Sequence, residues 1–160
     1  MITEGTADFL IAFLDKYNRH FEDLADFLEK KQNRILLDDL KWLEEALVEE
    51  QSLIMQGNSL EERRLELFEK AGLKGKKFSE LPEYFPKGYE GTLRLHHERL
   101  NKSVARIKKL TDTAADIVER KLKVQAKLLG VSDFTGIGAY SEDARIIKGK
   151  GGDNDIIGSV

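Results

Sequence analysis

The stretch DDLKWLEEALVEEQSLIMQGNSLEERRLELFEKAG, residues 38–72, decides whether this chain is built from a few long helices or from many short ones. Leu40, Leu43, Leu47 and Ile54 fall on one seam of a helix. Leu53, Leu60 and Leu67 continue at seven-residue intervals, the repeat of a helix that winds along a neighbour. QGNSLEER interrupts the pattern, because Gly57 and Asn58 are weak helix formers and Ser59 with Glu62 three residues on has the spacing of a capping box. The leucine register nevertheless survives the interruption, which predicts one helix, kinked there at most. Asp38 or Asp39 can cap its start by accepting first-turn amide protons, and Gly72 suits the left-handed position just past its end.

Working outward, Leu10, Leu14, Tyr17, Phe21, Leu24 and Leu28 recur at steps of four and three and form one stripe of a first helix. After Gly72, residues 73–90 hold both prolines. Ser79 can open a short helix there, with Phe78, Leu81 and Phe85 folded back onto the long ones. From about Gly91 a third helix runs to Leu129, with a seam of Leu93, Leu100, Ile107, Leu110, Ala114, Ile117, Val124 and Leu128. Up to Ile117 that seam is as narrow as one antiparallel neighbour would cover. From Ile117 on, Val118, Leu122, Val124, Leu128, Leu129 and Val131 spread over more than half the circumference, more than one neighbour covers. The expected fold is all-α: three long amphipathic helices and a short connector helix in an elongated, antiparallel, coiled-coil-like bundle over residues 1–131. A flexible, glycine-containing tail is expected over 132–160.

The 160 residues suit a single domain, and the absence of cysteine excludes disulfides and thiolate metal sites, as a reducing cytoplasmic setting allows. Glu4 and Asp8 stand where a secretory signal would carry positive charge, and no apolar run approaches the roughly 20 residues of a membrane span. The net charge of −3 hides an asymmetry. Residues 1–70 carry 17 acids and 9 bases, a balance of −8, whereas residues 91–130 carry 10 bases and 4 acids, a balance of +6. Nucleic-acid binding by the basic segment is one reading. The favoured one is that oppositely charged helices lie against each other, or that each charge is a solvated face, since a nucleic-acid binder is usually basic throughout and only Trp42 and scattered tyrosines are available to stack.

No catalytic or metal constellation emerges. His96 and His97 are adjacent and diverge by about 100° on a helix, so they cannot chelate one ion together. Leu93 and Tyr17 occupy the positions where a Glu-x-x-His di-iron motif would need its glutamates. Glu44-Glu45, Glu49-Glu50 and Glu61-Glu62 read as solvating charge, and the glycine-lysine run near Gly149 lacks the spacing of a phosphate-binding loop. Neither an enzyme nor a cofactor is expected.

Taken in order, these signals resemble the FlgN-like flagellar export chaperones. The likeness is carried by Lys31-Gln32, Leu40, Leu43, Glu50-Gln51, Leu60-Glu61, Arg64 and Gly72, continues through Leu100, Asn101, Ile107 and Leu110, and reaches Tyr140. It implies a cytoplasmic type III secretion chaperone that holds hook-associated subunits, the hook-filament junction proteins, and delivers them to the flagellar export gate. It further implies that Ile117, Val118, Leu122, Val124, Leu128, Leu129 and Val131 bind the helical end of the cargo, and that Tyr140 docks on the cytosolic domain of the gate. The chain departs from the family pattern at Ala144, where a glycine is usual, and in its longer tail.

The residues support this independently, since an amphipathic cargo helix exposes an apolar stripe that another helix can hide reversibly. A glycine-broken tail can present Tyr140 as an anchor that orders on contact. Two alternatives stand beside it. The Tyr140 ring can fold onto the protein's own core, and the wide apolar face can be consumed in a homodimer, which would make the chain a structural coiled-coil protein without cargo.

Overall fold

The structure, a computed structural model, describes residues 1–130; Val131, Tyr140 and the rest of the tail lie outside the described residues. Three long helices, α1 (Glu4–Leu36), α2 (Leu40–Lys70) and α3 (Glu90–Leu128), are joined by a tight turn and by a connector that contains a 3-10 helix, Phe78–Glu83. At about 1.5 Å per residue these are rods of roughly 45 to 60 Å. Their ends follow from local chemistry. Thr3 caps α1 by accepting the Thr6 amide proton, and Asp39 caps α2 by accepting that of Trp42 at 3.1 Å. Asp38 takes the left-handed turn conformation between them, and Gly72, at a φ of 75°, follows the last turn of α2.

Consecutive helices run antiparallel, so α1 and α3 run parallel. It is α1, not an antiparallel neighbour, that covers the narrow part of the α3 seam. Pairs between them keep an offset of 77 to 84 residues from Asp8–Tyr89 through Asn18–His96 and Asp26–Arg106 to Asp38–Lys121. The helices of opposite charge do lie against each other. Arg99 bridges Asp15 and Glu22, and Arg106 bridges Asp26 and Glu29. Partly exposed pairs of this kind add at most about 1 kcal/mol each, so their use is to fix the register.

The other face of α1 meets α2. Tyr17 donates to Glu61 at 2.8 Å, Arg64 grips the same carboxylate with two nitrogens at 2.6 and 3.0 Å and lies over Phe68, and Lys31 reaches Glu50 at 2.7 Å. Glu61 and Glu50 are therefore packed partners rather than the solvating charges expected from sequence. Burial, followed by the Glu61 charge, pushes the Tyr17 phenol well above its usual range. The Arg64 and Glu61 side chains are 8% and 12% exposed, and at such a site the removal of one partner typically costs about 3–5 kcal/mol.

The expected α2 seam also needs correction. Ala46, Leu60, Arg64, Leu67 and Phe68 are buried, with Leu43, Leu53 and Gly57 half-buried. Leu40, Leu47 and Ile54 are exposed. The helix is continuous through Gly57, and the glycine is there for space. A Cβ on it would stand 2.8 Å from Nε2 of His20, whose ring is buried edge-on against Phe21.

The main core is confined to one end. Leu10, Leu14, Tyr17 and Phe21 of α1 join Leu60, Leu67 and Phe68 of α2, Leu93 and Leu100 of α3, and Leu73, Phe78, Leu81 and Phe85 of the connector. The three connector side chains expected to fold back are thus all buried, Leu81 and Phe85 the most deeply. The amide of Ile2 donates to the Tyr84 carbonyl at 2.8 Å and closes this end.

Two expectations follow. Replacing a helical glycine by alanine ordinarily gains about 1 kcal/mol, whereas overpacking a filled seam costs about 1–3 kcal/mol. Gly57→Ala should therefore lower the urea midpoint, and in a His20→Ala background it should raise it; a rise in the unaltered background would mean that the His20 ring yields at no cost. The second expectation concerns pH. His20 and His96 are buried, and burial lowers both pKa values, with the Arg99 charge adding to the effect at His96. The unfolded chain takes up protons below about 6.5 that the folded chain refuses, so this stability is fully present above that pH and falls as the pH drops through it. Urea midpoints should decline from pH 7.5 to pH 5.5 and do so less for His20→Gln; a flat profile contradicts neutral buried rings.

Candidate functional site

The end of the bundle away from the core holds most of the residues singled out on α3. By the register with α1, Ile117 stands level with the last turn of that helix, and the Lys121–Asp38 pair ties α3 to the hairpin turn. The turns after Lys121 extend past the hairpin. Exposure rises on one side of this end: Ile117, Val118 and Leu122 are half-buried, Val124 is exposed, and Leu128 and Leu129 are 82% and 78% exposed, while Ala126 between them stays buried. These positions share one helix end but do not form a single open stripe, since the first three are partly covered by the bundle.

The hairpin adds a component that the sequence reading did not assign. Leu36 and Leu37 close α1 and Leu40 opens α2, and they are 52%, 72% and 75% exposed. Because Asp38 lies between them and touches Lys121, this leucine cluster and the end of α3 occupy the same end of the molecule. The signal was present in the run Ile35-Leu36-Leu37. Neighbouring helical residues diverge by about 100°, so three apolar residues in succession cannot all face one seam. Ile35 is buried and the other two are turned out.

The surroundings of this end are basic. Between residues 119 and 128 α3 carries Arg120, Lys121, Lys123 and Lys127 against Glu119 alone. Lys121 is held by Asp38 and Lys123 lies 3.5 Å from Glu119, while Arg120 and Lys127 face solvent. An apolar surface rimmed by cations fits an amphipathic helix whose stripe is flanked by carboxylates, because such a helix loses apolar hydration and gains charge complementarity together.

The histidines are structural. Asn18 Nδ2 donates to the His96 carbonyl at 3.1 Å and lies 3.2 Å from its Nδ1, while His97 stacks on Phe78 at a centroid distance of 5.0 Å. Among the described residues no group of histidines and carboxylates is arranged to hold a metal ion, and no helix is long and apolar enough to cross a membrane.

The family described as FlgN protein matches residues 1–133, which takes in the helical bundle and the end of α3 and stops short of Tyr140. No curated protein and no solved structure matches the chain. With the match running over all three long helices and the connector, the chain belongs to the FlgN family of flagellar export chaperones.

Proposed function

We propose that this chaperone binds the amphipathic helical end of a flagellar hook-associated protein at the distal end of its bundle and carries it, in the cytoplasm, to the cytosolic domain of the export gate. The observation that carries the reading is the exposure of Val124, Leu128 and Leu129 beside Leu36, Leu37 and Leu40, away from a core that is complete without them. A client helix laid there would hide its own apolar stripe and release it again, since the surface is small and lacks the buried polar pairs that fix α1 to α2. The role is binding rather than catalysis, with no cofactor. Ile117, Val118 and Leu122 would extend the client surface along α3, Val131 would continue it, and Tyr140 would serve as the docking residue for the gate.

Mixing the purified chain with terminal fragments of hook-associated subunits and following complex mass tests this reading. Leu128→Asp and Leu37→Asp should each weaken the complex by about tenfold or more, the scale of losing one anchoring leucine, and leave helix content nearly unchanged. Collapse of helicity would assign Leu128 to the fold, and unaltered affinity in both variants would move the client elsewhere. Tyr140→Ala should leave client affinity intact and reduce association with the cytosolic domain of the gate; equal gate binding by both forms removes Tyr140 from the role.

A further inference from the structure

The outward face of α2 carries a second apolar surface, distinct from the distal end. Leu47, Val48, Ile54 and Met55 are 53%, 75%, 52% and 69% exposed. With Gln51 between them they follow steps of three and four, so they form one stripe centred on Gln51, on the side of the helix opposite Ala46, Leu53 and Leu60. A helix with apolar stripes on two opposite sides is built to be covered twice, and among the described residues α1 covers only one of them.

The charges around the stripe indicate what covers the other. From Glu44 to Glu62 α2 has no basic residue; the exposed acids Glu44, Glu45 and Glu49 lie on the N-terminal side of Gln51, and Glu62 is the exposed acid on the other side, three turns away. On its C-terminal side Gln56, Asn58 and Ser59 are polar and uncharged. A parallel copy would set each acid against itself. An antiparallel copy related by a two-fold axis at Gln51 sets Leu47 against Met55, Val48 against Ile54 and Glu44 against Asn58, and brings Lys41 near Glu62. The stripe is therefore complementary to itself in one orientation only.

We infer that two copies of the chain associate through α2, antiparallel about Gln51, in a dimer that leaves both distal ends open. Because the interface is centred on Gln51, self-association leaves Leu36, Leu37 and the end of α3 uncovered, and only Leu40, seven residues before Leu47 on the same stripe, borders both surfaces. The inference stands on the α2 face alone and does not require the client reading.

The chain has no cysteine, so a single introduced thiol reports the axis directly. Helices packed at about 8–10 Å place on-axis Cα atoms within disulfide reach. Under mild oxidation the full-length Gln51→Cys chain should form a covalent dimer at least about tenfold faster than Lys109→Cys, whose thiol would sit on an exposed face of α3. In sedimentation equilibrium the unaltered chain and Leu128→Asp should both show twice the chain mass, and the pair Val48→Glu with Met55→Glu should show the single mass at unchanged helix content. A single mass for the unaltered chain at about 100 µM would overturn the dimer. Equal cross-linking of the two cysteine variants, or a dimer dissolved by Leu128→Asp and not by the α2 pair, would overturn the two-fold packing on α2.

Discussion

The structure depends on α1 having two different faces in use along its whole length. One face pairs through Tyr17, His20, Phe27 and Lys31 with the antiparallel α2, and the other through Asp15, Asn18, Glu22, Asp26 and Glu29 with the parallel α3. Both faces mix apolar contacts with specific polar pairs, and the polar pairs forbid sliding. A shift of α2 by one turn would part Tyr17 from Glu61 and Lys31 from Glu50 and carry the buried Glu61–Arg64 pair off the surface it is packed against, which costs more than one better-packed leucine could offset. A shift of α3 would strand Asn18, which is buried and donates to the His96 carbonyl. Apolar stripes bring the rods together, and a few polar groups determine where they stop.

A second asymmetry follows from the connector. Residues 73–89 return the chain to the end where it began and cover that end with Leu73, Phe78, Leu81 and Phe85. Among the described residues nothing of comparable size covers the other end, where the hairpin turn is tight and α3 continues beyond it. The distal half is held by smaller contacts, Phe27 against Trp42 with Lys30 and Arg34 over the indole, and Ile35. The most concentrated apolar packing thus lies at one end, and the largest group of unpaired leucines lies at the other.

Much of this was legible in the sequence, and the parts that were not share a cause. Helix number, a cap at Asp38 or Asp39, the Gly72 boundary, the buried connector side chains and the favoured contact between oppositely charged helices follow from periodicity, capping chemistry and composition; that the cap is Asp39 and the acidic partner of α3 is α1 comes from the structure. The face of α2 did not. Leu40, Leu47 and Ile54 keep a seven-residue interval as regular as that of Leu53, Leu60 and Leu67, and spacing alone cannot say which of two neighbouring stripes faces inward. The inner face was disguised because Gly57, Glu61 and Arg64 occupy it, residue types that hydrophobic patterning assigns to turns or to water. His20 and Gly57 hide the same way: a ring beside a missing side chain is a contact between two helices that no local pattern announces. On α3 the widening of apolar character after Ile117 was visible, but its division into half-covered and open residues depends on where α1 ends.

The separation of core from exposed end bears on what an export chaperone needs. A surface that must release its client cannot also carry the stability of the fold, since each leucine then contributes to both and release would draw on folding free energy. In this chain Leu128 and Leu129 stand at the end of a helix whose earlier seam residues, Leu93 and Leu100, are anchored in the core, so the helix is secured at one end and presented at the other. Substitutions at the presented end leave the packed end in place, because the two lie more than a dozen residues apart along the rod. The polar locks of α1 lie mainly from Asp15 to Lys31, and they hold the bundle in register up to the point where, among the described residues, the exposed leucines start.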